Sequence, residues 1–378
     1  MSDNQDMSRS MSDILVVWMV LFGFTRIVAA EPVYSITAIS LPTGATQGRP
    51  VGISDSGAVA GLAAPDNHSF VVGFVSSEGN AIALPFEPMG ISANGKIAGG
   101  STLWQGGDVT ALPALPGDLA GAQQAYGVNN SGQVVGISFL QTDDVPEPRM
   151  VSWVNGVAMA VGMPAGYQSS VSAGINNSGV ILGTADPTDS ALLPDRAFVY
   201  QNGSVSLLPV PGNSFSDASA INDSGVVVGV FGAVGSEAFF PIRWSGDSMT
   251  MLTPFPGIST VPLAINNAGI IVGSAEGEFD VRSHAVMWDA DLNLIDLETE
   301  IPADSGWTLV TATGINSQGQ IVGYGIFDGR DEAYLLTPMG MGTTVPEPML
   351  CDVFVLGVFG LRRQRKGVNR NEKELLEK

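Results

Sequence analysis

Cysteine is almost absent from this chain, with one residue, Cys351, in 378. No intramolecular disulfide can form, so the body has to be held by its core alone. Histidine is nearly as scarce, with only His68 and His284. Nucleophile-and-base chemistry usually draws on a His, a Cys or paired carboxylates. Cations are few as well. Between residues 31 and 348 there are 7 Lys/Arg against 30 Asp/Glu, a formal charge of −23, and cations after Leu361 mask it in the whole-chain value of −21. A body this acidic disfavours nucleic acid and anionic membrane as partners and suits an exported, soluble surface protein. Long hydrophobic runs are also missing. The longest candidates are residues 14–24 and 349–361, the second broken by Asp352. Thirteen residues make about 20 Å of helix against a bilayer core of about 30 Å, too short for a permanent span.

Glycine and proline are what the chain has in quantity, 47 and 23 residues, alongside 45% apolar and only 14% charged residues. That composition predicts an all-β chain with many tight turns and a large core. A ten-residue motif organises it. It reads Gly-Ile-Asn-Asn-Ser-Gly-Val-Ile-Leu-Gly at 174–183, and its relatives begin at Gly52, Gly90, Gly127, Ala220, Ala264 and Gly314. Repetition at this period marks a repeat architecture. The centres of the copies (Asn129 to Gly132, Asn176 to Gly179, Asn222 to Gly225, Asn266 to Gly269, Asn316 to Gly319) carry hairpin chemistry. Asn bonds its own backbone, and Gly takes the left-handed position of a type I turn with a bulge. Turn-making accounts for these Asn residues better than cation binding, which needs several carboxylates per loop. The apolar runs that follow, such as Val180-Ile181-Leu182 and Val226-Val227-Val228, predict strands buried on both faces.

Each unit supplies three further strand signals. Residues ahead of the motif (Ser169 to Ala173, Asp217 to Ala220, Leu309 to Thr313) predict one strand. A second ends in an aromatic residue (Trp104, Trp153, Tyr200, Trp244, Trp288), and a third closes the unit (Asp108 to Pro113, Ser204 to Pro209, Ser248 to Leu252). Four strands in roughly 44 residues is the size of a propeller blade. The last unit lacks its closing strand, and Val33 to Leu41 is an orphan of that type. The expected fold is therefore a seven-bladed β-propeller over 31–338, closed by the N-terminal strand, which removes two sheet edges. An open stack of hairpins is the alternative. The second unit, where Ile97-Ala98-Gly99-Gly100 runs straight into Ser101, requires a very tight hairpin or a missing strand.

The ends read as address. Residues 1–30 predict a signal peptide, with Met11 an alternative start and cleavage between Ala30 and Glu31. After the ring come a linker (339–344), a segment 345–366 with a short hydrophobic helix expected at 349–361, and a charged tail (367–378). An apolar stretch followed by the basic cluster Arg362-Arg363-Gln364-Arg365-Lys366 has the form of a stop-transfer signal.

Two resemblances follow from these residues. The repeated Gly-Ile-Asn-Asn-Ser-Gly motif, with the strands Arg196-Ala197-Phe198, Glu237-Ala238-Phe239 and His284-Ala285-Val286, resembles HAF-repeat extracellular proteins over about 33–338. Val345-Pro346-Glu347-Pro348 with Arg362, Arg363 and Arg365 resembles the PEP-CTERM sorting signal of bacteria that make exopolysaccharide. That second resemblance implies an exosortase-like processing enzyme as partner, transient membrane association through 349–361, and a secreted or cell-surface address. It also makes extracellular polysaccharide a candidate partner. The internal Val145-Pro146-Glu147-Pro148 is a plain Pro-rich turn.

Catalytic candidates are thin. Both His are aligned with the same repeat position, which argues for a structural role. Asp289-x-Asp291-x-Asn293 with Glu300 mimics a calcium loop but has Leu294 where Gly is needed. Asp143-Asp144 reads as solvated loop, and the recurring aromatics as blade-to-blade packing rather than sugar stacking. The expectation is thus an exported, non-catalytic surface or matrix protein with no catalytic residue, metal or cofactor. Two alternatives stand beside it: a carbohydrate-binding or carbohydrate-cleaving propeller, and a calcium-dependent adhesion module. Clustered carboxylates with a raised pKa at one mouth would favour the first.

Overall fold

The computed structural model describes residues 33–65, 71–142, 145–190, 192–236, 238–257, 259–276 and 282–340. The signal peptide with Ala30 and Glu31, His68, Asp143-Asp144, and everything from 341 onward lie outside them. So do the sorting residues Val345, Pro346, Glu347, Pro348, Arg362, Arg363 and Arg365 and the expected C-terminal helix. Among the described residues no helix is long and apolar enough to cross a membrane.

The first strand among the described residues is β1 (Tyr34–Ala38). Blade 1 then runs β2 (Gln47–Ile53), β3 (Val59–Ala64), β4 (Val72–Ser77) and β5 (Asn80–Leu84). Blade 2 is β6 (Gly90–Ile91), β7 (Ile97–Gly99), β8 (Thr102–Gln105) and β9 (Asp108–Ala111). Blade 3 is β10 (Gln124–Val128), β11 (Val134–Leu140), β12 (Glu147–Val154) and β13 (Val157–Ala160). Blade 4 is β14 (Tyr167–Ile175), β15 (Ile181–Pro187), β16 (Arg196–Gln201) and β17 (Ser204–Leu207). Blade 5 is β18 (Ser214–Ile221), β19 (Val227–Ala233), β20 (Phe240–Ser245) and β21 (Ser248–Met251). Blade 6 is β22 (Ser259–Ile265), β23 (Ile271–Glu276), β24 (His284–Trp288) and β25 (Leu294–Asp296). A 3₁₀ turn, Leu297–Glu300, leads to blade 7 with β26 (Trp307–Ile315), β27 (Ile321–Phe327) and β28 (Arg330–Pro338).

Each blade is an antiparallel sheet of four strands in chain order, and the last is completed by β1 in the order β1-β28-β27-β26. Ile36 pairs with Leu336 and Tyr34 with Pro338. The expected closure is therefore present. Blade 2 has its four strands, with β7 and β8 joined across Gly99 and Thr102 by the tight hairpin the sequence required.

The motif forms the turn between the first strand of each blade, next to the ring axis, and the second. Second strands are buried on both faces, as their uninterrupted apolar runs predict; β11 and β15 each open with five buried residues in a row. The motif's closing glycine has a packing reason. First strands bulge opposite it, for example between Ala218 and Ala220. A Cβ on Gly229 would lie 2.1 Å from the Asp217 carbonyl oxygen, and one on Gly273 2.0 Å from that of Val261. Only glycine lets the bulged backbone come that close.

Tryptophans knit neighbouring blades together. Trp153, Trp244 and Trp288 are fully buried. Their indole N–H groups donate to Pro113 O, Pro209 O and Thr253 O at 2.7–2.8 Å, each just beyond the outermost strand of the preceding blade. The packing role expected of these aromatics is what the structure shows.

One sequence alignment fails. Gly183 pairs with Phe198, Gly229 with Ile242 and Gly273 with Val286. Phe240-Pro241-Ile242 therefore stands where Arg196-Ala197-Phe198 and His284-Ala285-Val286 stand, and Ala238-Phe239 lies just before the strand, with Glu237 outside the described residues. In blade 1 the residue equivalent to His284 is Val72, paired with Ala63. Local likeness misled because register is fixed by the glycine pairing, not by the Ala-aromatic dipeptide.

Candidate functional site

The two ends of the ring are chemically different. At one end lie the seven motif turns. Gly132, Gly179, Gly225, Gly269 and Gly319 take φ between +76° and +87°. Each donates its N–H to the carbonyl of the Asn three residues earlier, at 2.9–3.1 Å. The type I turn with a left-handed glycine is as expected. Asn129, Asn176, Asn222, Asn266 and Asn316 are buried, and each side-chain oxygen accepts two backbone N–H groups of its own turn, as Asn222 does from Ser224 and Val226.

Turn chemistry leaves the amide nitrogen unused, and here the sequence reading fell short. Nδ2 of Asn129 donates to Asn176 O, Asn176 to Asn222 O, Asn222 to Asn266 O, and Asn266 to Asn316 O, at 3.0–3.1 Å. Asn316 Nδ2 closes the circle on Ser54 O of blade 1 at 3.0 Å. Blades 1 and 2 carry Ser54 and Ser92 instead, whose hydroxyls cap the turn but reach no neighbour. Blade 1 is linked onward by Asp55 N–H to Ala93 O, and blade 2 by Asn94 and Lys96 to Asn130. All seven junctions are thus bridged at one level. The visible signal was that five of seven copies use Asn where Ser or Asp makes the same turn.

A polar cavity of about 200 Å³ sits inside this ring, floored by a collar of Ile53, Ile91, Val128, Ile175, Ile221, Ile265 and Ile315. Its carboxylates are occupied. Asp55 accepts Ser317 N–H, and Asp223 accepts from Asn177 and Asn267 at 2.7–3.0 Å. Burial works to raise the Asp223 pKa, but these hydrogen bonds outweigh it and hold the carboxyl below the ordinary aspartate range. At this end the turns and their carboxylates serve the junctions between blades.

The far end of blades 4 and 5 is different. Asp186 near the end of β15 and Asp195 just before β16 lie there, and Asp217 on β18 is near enough for its charge to act on Asp195. Asp195 is pushed above the ordinary aspartate range, first by burial and then by the charges of Asp186 and Asp217. Thr184 Oγ1 donates to Asp217 Oδ1 at 2.5 Å. The Tyr167 hydroxyl donates to Pro194 O at 3.2 Å; burial raises its pKa, Arg196 lowers it and Asp195 raises it again. Beside these groups four phenyl rings crowd the same end of blade 5. Phe215 meets Phe239 edge-on at 5.3 Å and Phe231 meets Phe240 at 5.6 Å, and Phe239 and Phe240 are 43% and 39% exposed.

Other sequence candidates have plainer roles. His284 Nδ1 lies 2.9 Å from Asp296 Oδ2, with its ring stacked on Phe255. Asp289 accepts the N–H groups of Asp291 and Asn293 and caps a turn, while Glu300 belongs to the 3₁₀ turn. Among the described residues no group of three His, Cys, Asp or Glu has metal-binding geometry.

Fold and geometry define a seven-bladed β-propeller with one end ringed by hydrogen-bonded turns and one acidic, aromatic end. No family model matches the chain, and no curated protein matches it. Solved structures do. An oligogalacturonate lyase from Vibrio parahaemolyticus is 10% identical, with a TM-score of 0.55 over 82% of this chain and 98% of the lyase. The β-propeller domain of the Trilobed protease from Pyrococcus furiosus, described as having an open velcro topology, is 10% identical with a TM-score of 0.51 over 78% and 94%. A puromycin-hydrolyzing peptidase of Mycobacterium tuberculosis is 13% identical with a TM-score of 0.50 over 81% of this chain, which spans only 56% of the peptidase's length. At such identity the likeness is one of fold. It nevertheless corrects the expectation of a non-catalytic protein, because solved structures of this fold include a lyase and a peptidase. Scarcity of His and Cys excludes neither.

Proposed function

We propose that the protein is a carbohydrate-active β-propeller that binds a saccharide across the far end of blades 4 and 5 and cleaves it there. One observation carries the reading: three carboxylates cluster at that end, and the raised pKa of Asp195 keeps its proton to higher pH than an ordinary aspartate does. A carboxyl of that kind is a general acid for a glycosidic oxygen, and a neighbouring carboxylate can take the proton of the attacking water. In this scheme Asp195 protonates the leaving oxygen and Asp217, oriented by Thr184, activates water. One water is consumed and one new reducing end forms. The lyase likeness along nearly its whole chain supports a saccharide as the class of substrate.

Charge supports a neutral saccharide over an acidic one. Five of the seven cations of the body are already engaged: Arg49 over Tyr324, Lys96 on Asn130, Arg149 with Asp118, Arg196 on Leu208 O and Arg282 with Glu298. An acidic sugar would meet carboxylates with few free partners. Export by residues 1–30 and sorting by Val345 to Pro348 with Arg362 to Arg365, through an exosortase-like enzyme, belong to the same proposal. They would put the protein at the cell surface, where polysaccharide is found.

The test is release of reducing ends from a panel of neutral oligosaccharides. Wild type should cleave at least one, with activity falling as pH rises past the Asp195 pKa. Asp195→Asn should lower kcat at least 100-fold with KM changed little. Cleavage that survives the substitution unchanged, or no cleavage by wild type, contradicts the assignment.

A further inference from the structure

The exposed phenylalanines of blade 5 are placed in relation to the carboxylates, and this deepens the function proposed above, on which it rests. Register along β18 is regular from Ser214 to Ala218, with Phe215 opposite Gly232 and Asp217 opposite Val230. Residues two apart on a strand share a face, so the Phe215 ring and the Asp217 carboxyl project from the same side, about 7 Å apart along the chain. The burial pattern alternates accordingly, with Ser214, Ser216 and Ala218 buried while Asp217 and Ser219 are exposed. Ser219, in the bulge that follows, lines the central channel.

Phe215 is held rather than loose. A Cβ on Gly232 would lie 2.5 Å from its Cε1 and 2.6 Å from its Cζ, so the ring lies directly over glycine backbone. Phe239, just outside the strand, then packs edge-on against it while leaving 43% of its own surface to solvent. The other exposed ring, Phe240, is separate. It pairs in the sheet with Phe231, opposite Ser216, and so belongs to the opposite face.

We propose that Phe239, braced by Phe215, is a stacking subsite for one pyranose unit of a neutral saccharide whose next hydroxyls reach Asp217. A phenyl face carries negative charge density and attracts the C–H groups on the apolar face of a sugar ring. The Asp217 carboxylate, on the face of β18 that carries Phe215, accepts hydroxyl protons, which gives the alternation of apolar surface and fixed polar groups expected of a ligand site. The platform excludes pyranoses whose ring faces are crowded by axial hydroxyls, because those present no flat C–H surface.

The full chain is screened on an array of neutral oligosaccharides, and the tightest-binding glycan is titrated calorimetrically against wild type, Phe239→Ala, Phe239→Trp and Phe240→Ala. Phe239→Ala should weaken binding at least tenfold, Phe239→Trp should hold or improve it, and Phe240→Ala should stay within twofold. Thermal melts of all variants confirm folding, which truncating an exposed ring leaves intact. Equal losses from Phe239→Ala and Phe240→Ala, or none from Phe239→Ala, overturn the subsite and leave the carboxylate reading standing. Failure of wild type to bind any neutral glycan overturns both.

Discussion

The amide nitrogen of one asparagine is the smallest feature on which the ring depends. Asn222 is buried, caps its own turn with Oδ1 and spans to blade 6 with Nδ2. Asn222→Ala removes all three bonds and leaves buried groups unpaired, a cost of about 2–3 kcal/mol in chemical denaturation. Asn222→Ser copies what Ser54 and Ser92 do in blades 1 and 2, keeping the turn and losing the bridge, at about 1 kcal/mol. Equal losses for the two variants would refute the bridging role. Asp223, one residue on, gives a pH signature. Its folded pKa lies below that of the unfolded chain, so its contribution is fully present above the ordinary aspartate range and is lost as pH falls through the folded value. The stability gap between wild type and Asp223→Asn should therefore shrink on acidification, as followed by melts from pH 7 to pH 2, and a gap independent of pH would contradict the assignment.

Strands were the most legible level of this chain, and the reason is physical. Turn residues and uninterrupted apolar runs are local, so the motif turns and the buried second strands follow from adjacent residues. The third strand of blade 5 was found at Trp244, but the Ala-aromatic alignment within it failed because Ala238-Phe239 copies a pattern whose register is set elsewhere, by Gly229 facing Ile242. The carboxylate site was not legible at all. Asp186, Asp195 and Asp217 come from three segments of two blades, and only folding brings them together. Closure by β1 was legible because the count of strand types came out even only if the first strand joined the last sheet. Its check is a cross-link. Ser35 faces Thr337 in the closing pair, and antiparallel partners lie within disulfide reach. Ser35→Cys with Thr337→Cys, in a Cys351→Ser background, should oxidise to an intramolecular disulfide that leaves the protein monomeric on a non-reducing gel. Free thiols or cross-linked dimers would contradict the register.

For the molecule as a whole, the account divides labour between two ends. One end is tied together by turns that hydrogen-bond from blade to blade above a collar of apolar side chains, and its carboxylates are occupied by amide donors. The other has Asp195, whose charge is opposed first by burial and then by Asp186 and Asp217, and aromatic rings left facing solvent. Seven pseudo-equivalent units make this asymmetry possible, since the motif turns must stay alike to close the ring while the far loops are free to differ. Amide hydrogen exchange with and without the tightest-binding neutral oligosaccharide tests that division most directly. The account predicts added protection in residues 184–195, 214–217 and 238–240 and none in the turns at 176–179 and 222–225. Protection confined to the turns, with the far end of blades 4 and 5 unchanged, would contradict it.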